Sequence, residues 1–325
     1  MKAMGFKRFG GPEVLEEVEL PDPVPGPEDV LIRTGAIGLN FADIYRRRGE
    51  YSNEPPMPYV LGMEGAGTVV AVGENVMEFV NGDRVAFSHV PRANATLVLA
   101  PAWKVIHLPP SISFEQAAGI LLQGMTAHYL THDSYSVSSN DTVLIHAVSG
   151  GVGALLAQIC KNILGAKVIG TISSPKKLGA VQDLNLDHLI IRSQADWRTS
   201  VLEFTGGKGV DVAYDALGVT LEDTLEVVKA RGTAVYYGWA AGTPPRIAPN
   251  TLMSGSKALV GGDLWSHIAD RPSLLTRAQT LFDWLSAEKI RLHLSKKYPL
   301  VEAAAAHRAL ESGETSGKIL LIPEL

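Results

Sequence analysis

The chain has 325 residues, 46% hydrophobic and 19% charged, with a formal net charge of −5. That composition excludes a disordered polymer, argues against a nucleic-acid or anionic-membrane partner, and leaves room for two domains. A single cysteine, Cys160, excludes an internal disulfide and a cysteine-built zinc site. With no signal-like start and no apolar run of about eighteen residues, the expectation is a soluble cytoplasmic protein.

From Met1 to about Pro110 the chain reads as short strands separated by Gly and Pro. Asp29 to Ile37, Gly67 to Gly73 and Asp83 to Phe87 are strand candidates, and Gly26-Pro27, Gly73 and Asn81-Gly82 are turn signals. Asn40 to Arg48 reads as a short helix. Its basic end, Arg46 to Arg48, is either a solvated face or an attractor for an anionic cofactor. This region predicts a small distorted β-barrel or sandwich.

Near Ser113 the period changes. Ser113-Phe-Glu-Gln116 has capping-box spacing ahead of the apolar run Ala117 to Leu122. Strands then alternate with helices: Val143 to Ile145, Val168 to Ile172, Leu189 to Ile191, Val210 to Tyr214 and Thr233 to Tyr237. That alternation predicts a doubly wound parallel sheet, with Asp215, Ala216, Gly238 and Trp239 at the carboxyl ends where such sheets bind ligands. A strand-like run after Ala258, a helix Leu274 to Lys289, a helix Val301 to Ser312 and a strand Ile319 to Ile322 close the chain.

The segment Asp141 to Gly153 carries the most chemistry. A buried strand breaks into small residues and glycines, and Ala154 to Lys161 reads as a helix with Leu155 and Ile159 on one face. Strand, glycine turn and helix bring a pyrophosphate to free N–H groups at a helix N-terminus. In G-x-G-x-x-G spacing the last two glycines fall on Gly150 and Gly153, while Val148 takes the first position. A dinucleotide site that prefers NAD places an acid about twenty residues on, for the ribose 2′-hydroxyl. Here the next strand ends in Ile172-Ser173-Ser-Pro-Lys-Lys177, without an acid. Ser173 and Lys177, with Arg192 after the following strand, can bind a 2′-phosphate, which points to NADPH. The alternative is that Lys176 and Lys177 only solvate a helix start.

Together these pieces resemble the zinc-independent quinone oxidoreductases of the medium-chain dehydrogenase/reductase superfamily, the zeta-crystallin-like group. The motifs are Gly10-Gly-Pro-Glu-Val-Leu15, Ala36-Ile-Gly-Leu-Asn-Phe-Ala-Asp43 with Tyr45 and Tyr51, and Phe114-Glu-Gln-Ala-Ala118. Gln123-Gly-Met-Thr-Ala127, Leu144 to Gly153, and Thr315-Ser-Gly-Lys-Ile-Leu-Leu-Ile-Pro323 complete the set in the family's order. The resemblance implies an α/β fold: a GroES-like catalytic domain over 1–122, a Rossmann NADPH-binding domain over 123–259, and a segment 260–325 that returns to the catalytic domain. It also implies a homodimer that takes a small quinone or conjugated carbonyl.

Zinc-dependent members of that superfamily place Cys where Asn40 stands, His inside the stretch Gly62-Met63-Glu64, and a second Cys close to Gln123. Of the expected ligands only Glu64 remains, so no metal is expected. Hydride transfer to an electron-poor acceptor needs contact, exclusion of water and a donor to the oxygen that gains charge. The resemblance assigns Asn40, Tyr45 and Tyr51 to the acceptor pocket. From the residues alone, Asn40 could equally cap the short helix and the tyrosines could be ordinary aromatics. On the cofactor side the resemblance implies Thr126 at the start of the hinge helix, near the nicotinamide. It adds Gly150, Gly151, Val152 and Gly153 at the pyrophosphate, backbone contacts at Gly238 and Trp239, and Lys318 near the nicotinamide end. Lys318 could instead be a solvated lysine before an edge strand. Enone or alkenal reduction on the same scaffold is the rival activity, and non-catalytic NADPH binding a third. Two stretches depart from the family, Arg92-Ala-Asn-Ala-Thr96 and Gly261-Gly-Asp-Leu-Trp265.

Overall fold

A computed structural model describes residues 1–51 and 56–323. The chain divides into two compact units: 1–122 with 268–286 and 294–325, and 123–267 with 287–293.

The first unit begins with β1 (Lys2–Phe6), β2 (Glu16–Glu19), β3 (Asp29–Leu39) and β4 (Tyr59–Val60). β5 (Glu64–Val72), β6 (Arg84–Ser88), β7 (Leu97–Pro101) and β8 (Val105–His107) follow. Helix α1 (Phe41–Arg48) leaves the end of β3, and α2 (Phe114–Tyr129) carries the chain into the second unit. Both halves of the expected capping box form: Ser113 N donates to Gln116 Oε1 (2.9 Å) and Gln116 N to Ser113 Oγ (3.1 Å).

The second unit holds β9 (Thr142–Ile145), β10 (Lys167–Ile172), β11 (His188–Ile191), β12 (Val210–Asp215), β13 (Val228–Tyr236) and β14 (Ala258–Gly261). Their order is β11-β10-β9-β12-β13-β14, all parallel. Counted from β9 this is 3-2-1-4-5-6, the dinucleotide-binding order, whose direction reverses between β9 and β12. The strands read as near-continuous apolar runs because both faces are covered. Leu144, Ile169, Ile190, Val210 and Ala213 meet Trp197, Val201 and Leu225 in one core.

The chain then returns to the first unit as β15 (Leu294–Pro299) and β16 (Lys318–Ile322). β16 pairs with β15 on one side and β3 on the other. Ile319 and Leu321 thereby enter a core with Ile37, Leu39, Leu61 and Tyr298. An apolar strand placed last in sequence is therefore interior in its sheet.

Element boundaries shift in two informative places. The helix after the glycine turn is α3 (Gly151–Gln158), three residues earlier than the apolar pattern suggests, because two of its first three residues are glycine and leave no periodic hydrophobic mark. It continues as a π turn, Ile159–Ile163, closed by Leu164 N on Ile159 O (3.0 Å). The later helix spans Arg271–Ser286 rather than Leu274 to Lys289.

Candidate functional site

In the second unit the glycine turn is built without the first glycine of the usual pattern. Ala147 itself takes the left-handed conformation, φ 51°. Val148 donates its N–H to Thr171 O (3.0 Å) and is fully buried. Gly170 on β10 makes room for its side chain, since a Cβ there would lie 2.8 Å from Val148 Cγ1. The small residue has moved to the neighbouring strand. Gly153 is fixed by close approach, because its Cβ would sit 2.9 Å from Val148 Cα and against Ala147 O. The space beside Gly151 is taken by the Gln123 carboxamide, whose Nε2 would be 2.7 Å from a Cβ.

Gly150 is the N-cap of α3, and the helical ladder starts with Ala154 N on Gly150 O (2.9 Å). The N–H groups of Gly151, Val152 and Gly153 therefore precede the ladder and are directed out of the helix end. No acid stands in that first turn. The turn is a cradle for an anion, and the residues present fit a pyrophosphate.

Beyond β10 the chain makes a tight turn, Pro175–Ala180, and Lys177 lies within it. Arg192 follows β11 and donates its backbone N–H to Ile172 O (2.9 Å), at the residue before exposed Ser173. Burial and the nearby Arg192 cation both depress the Lys177 ammonium below its ordinary range. Burial also depresses Arg192, against the pull of Asp215. Arg192 Nε is buried without a hydrogen-bond partner among the described residues. Two partly buried cations close enough to interact, one of them with a buried donor left over, have the chemistry to hold an anionic group.

Gly238 and Trp239 cross the end of β12. Tyr237 N donates to Asp215 O (3.0 Å) and Ala240 N to Ala216 O (2.9 Å). Thr126 is nearly buried, but it lies late in α2 and not at a helix start. The glycine at 124 and the change of unit after Leu122 suggest a break that the backbone does not make.

Asp215 does not reach for a ligand. Its carboxylate accepts from Leu217 N (2.8 Å), Gly218 N (3.1 Å), Thr220 Oγ1 (2.7 Å) and Thr224 Oγ1 (3.0 Å). Buried His146, absent from the sequence reading, sits between Thr171 Oγ1 (3.2 Å) and Thr224 Oγ1 (3.0 Å). Thr224 has one proton, facing the Asp215 carboxylate and Thr220 O, so it accepts from His146 Nε2–H. Nδ1 is then the acceptor. Burial lowers the His146 pKa and keeps the ring neutral.

In the first unit, Asn40 is the N-cap of α1, as its position suggests. The capping contact runs through the backbone, Asn40 N donating to Asp43 Oδ2 (2.9 Å). The Asn40 side chain enters a buried ionic network. Its Nδ2 donates to Glu64 Oε1 (2.8 Å) and, at 3.3 Å, to Gly38 O, while its Oδ1 accepts from Lys318 Nζ (2.8 Å). Lys318 also donates to Glu64 Oε1 (2.5 Å), and Glu64 Oε2 accepts from Leu122 N (2.8 Å). Lys318 is fully buried in an interior strand, so neither "solvated" nor "edge" describes it. Asp43 joins through Gly62 N (3.0 Å), and burial pushes its carboxyl up to about 6.

Tyr45, nearly buried on α1, meets Tyr51 edge-on at 6.3 Å between ring centres, and Arg46 covers Tyr51 at 4.8 Å. The helix is held from behind by fully buried Arg47. Arg47 donates to Gly10 O (3.1 Å), His307 Nδ1 (3.1 Å) and Glu311 (2.5 Å). The structure thus brings Tyr45 to Tyr51, and Asn40 to Lys318. Glu64 was legible only as a remnant of a metal site. The signal for its true surroundings was an acid opening an apolar strand, Glu64 to Val72. Among the described residues, no three His, Cys, Asp or Glu side chains gather as metal ligands would.

Comparison with known proteins agrees over the whole length. Residues 26–142 match an alcohol dehydrogenase GroES-like domain, and residues 184–321 a zinc-binding dehydrogenase domain. A quinone oxidoreductase of Pseudomonas aeruginosa is 39% identical over 99% of both chains. A 2-haloacrylate reductase of a Burkholderia species is 38% identical over 97% of both. The crystal structure of Escherichia coli quinone oxidoreductase complexed with NADPH superposes with a TM-score of 0.96 at 35% identity, covering 99% of this chain and 100% of that one.

Proposed function

This chain belongs to the zinc-independent quinone oxidoreductases of the medium-chain dehydrogenase/reductase superfamily, and from that premise we propose that it reduces quinones with NADPH and without a metal. The observation that carries the cofactor choice is the Lys177–Arg192 pair beyond the ends of β10 and β11, two cations without an ion pair among the described residues. Ser173, Lys177 and Arg192 hold a 2′-phosphate in this reading, and the N–H groups of Gly151, Val152 and Gly153 hold the pyrophosphate. Thr126, Gly238 and Trp239 line the remainder of the cofactor path, and Lys318 acts from the substrate side through Asn40. Bound NADPH supplies the hydride. Asn40, Tyr45 and Tyr51 orient the flat acceptor and stabilise charge on its oxygen, the tyrosines by O–H donation and ring stacking. No residue is required as a base, because the acceptor gains its proton from water.

The exposed edge of β14, Ala258-Leu-Val-Gly261, supports a homodimer: an apolar edge strand is a template for pairing with a second copy. No helix among the described residues is long and apolar enough to cross a membrane. Burial pushes the Cys160 thiol up to about 12, which suits an unreactive thiol in the cytoplasm.

Initial rates of NADPH oxidation test the reading, with 1,4-benzoquinone and 9,10-phenanthrenequinone against 2-alkenals and 2-haloacrylate. Quinone turnover that survives dialysis against a strong chelator is expected. Turnover of the conjugated acids or aldehydes alone would move the substrate class, and activity lost with a metal would overturn the metal-free mechanism.

A further inference from the structure

Lys318, Glu64 and Asn40 close a ring of hydrogen bonds with one geometry available to it. The ammonium bonds the amide oxygen (2.8 Å) and the carboxylate (2.5 Å), and the amide nitrogen bonds the same carboxylate oxygen (2.8 Å). Turning the Asn40 amide over would set its NH2 group against an ammonium and its oxygen against a carboxylate. Both contacts would change from attractive to repulsive in a buried site, where charge interactions are least screened. Glu64 and Lys318 are fully buried and Asn40 is 4% exposed.

The ring is anchored on four elements. Glu64 opens β5, Lys318 opens β16, Asn40 caps α1, and Leu122 N on α2 holds the second carboxylate oxygen (2.8 Å). Glycine at 38 completes the cage, since a Cβ there would lie 2.7 Å from Glu64 Cδ. Asp43 fixes the neighbouring backbone, bonding Asn40 N (2.9 Å) and Gly62 N (3.0 Å), two residues before Glu64.

We propose that Glu64 and Lys318 are positioning residues that lock the Asn40 carboxamide in a single orientation, nitrogen toward the carboxylate and oxygen masked by the ammonium. The proposal rests on the assignment of Asn40 to the acceptor site. The lock has two chemical consequences. The amide oxygen, which would repel an acceptor gaining negative charge, is held by a cation. The ammonium also draws electron density from the amide, which strengthens its N–H donors. The amide proton directed at Gly38 O makes a contact of 3.3 Å, longer than the 2.8 Å bond to Glu64, and in this proposal it is the one shared with a quinone oxygen. Glu64 and Lys318 act through Asn40 and need not touch the substrate.

A double-mutant cycle on the full-length enzyme tests this. Glu64→Gln is expected to lower kcat with a quinone about tenfold and to leave the NADPH dissociation constant, read by nicotinamide fluorescence, unchanged. In an Asn40→Ala background the same Glu64→Gln change is expected to have no further effect on kcat. Effects that multiply, or a loss confined to NADPH binding, would overturn the proposal. If Glu64→Gln does not fold, the paired Glu64→Gln/Lys318→Met variant, which buries no net charge, takes its place in the cycle.

A second readout needs neither cofactor nor turnover. In protein labelled with 15N-asparagine, the Asn40 side-chain NH2 pair is assigned by its loss in Asn40→Ser. It should exchange slowly with solvent in the wild type and quickly in Glu64→Gln/Lys318→Met. Equal exchange in both would refute the lock. A wild-type enzyme inert toward every quinone but with the protected NH2 pair would refute the proposed activity and leave the lock standing.

Discussion

Cations drawn wholly or partly out of solvent are treated in opposite ways in the two units. In the first, Lys318 is matched by Glu64, and Arg47 by Glu311, both cations with no exposed surface. In the second, Lys177 and Arg192 share a neighbourhood, burial depresses both, the Arg192 cation depresses Lys177 further, and neither has an ion pair among the described residues. A buried charge with its counter-ion in the chain fixes geometry. Two cations without one repel each other, and an anionic ligand would relieve that repulsion.

Four measurements sharpen or break that contrast. The largest effect is expected for Lys318→Met alone, which strands the Glu64 carboxylate. Urea unfolding should show a loss of about 3–5 kcal/mol, much of it recovered in Glu64→Gln/Lys318→Met. A loss no smaller in the paired variant would mean that Lys318 serves packing rather than charge balance.

Next comes pH. Burial and the adjacent Arg47 cation lower His307 from 6.5 to about 3. Below pH 6.5 the unfolded chain binds a proton that folded His307 refuses, so its contribution is complete above that pH and is lost as pH falls toward 3. His307→Gln should remove about 3 kcal/mol of the stability difference between pH 7 and pH 4. Asp43 has the opposite sign. Its carboxyl, raised from 3.8 to about 6, holds a proton that the unfolded chain releases, so its contribution falls as pH rises from 3.8 to 6. Asp43→Asn should therefore steepen the acid loss. Parallel pH profiles for all three proteins would remove both groups from the account.

The third concerns the ligand. Lys177→Ala/Arg192→Ala should weaken NADPH binding about a hundredfold and leave NADH nearly unchanged, as read by fluorescence titration. An unchanged NADPH-to-NADH ratio would refute the phosphate assignment. The smallest effect is the most diagnostic of the contrast: without cofactor, Lys177→Ala should raise stability by about 0.5 kcal/mol, because it removes a repulsion. Destabilisation would show that Lys177 has a structural partner.

The glycine cradle shows how far local pattern reaches. Gly150 and Gly153 were legible because the helix start needs them. The missing first glycine was not explained by its own position, since Gly170 on another strand makes room for Val148. Tyr45 and Tyr51 were legible as a pair through the family motif, and the structure brings their rings together. His146 was not, because its partners Thr171 and Thr224 are 25 and 78 residues away.

The sequence alone determined the strand and helix alternation, the parallel sheet, the capped start of α2, the glycine turn and the acid-free end of β10. Each depends on residues within a few positions, where periodicity and backbone preference act directly. Only the tertiary structure decided that the last strand is interior, that Lys318 is buried, and that Glu64 and Asn40 share it. Lys318 lies 278 residues from Asn40 and 254 from Glu64, and no local propensity reports a charge balance assembled across that separation. Burial removes the water that would otherwise solvate each group, and so makes the pairing obligatory.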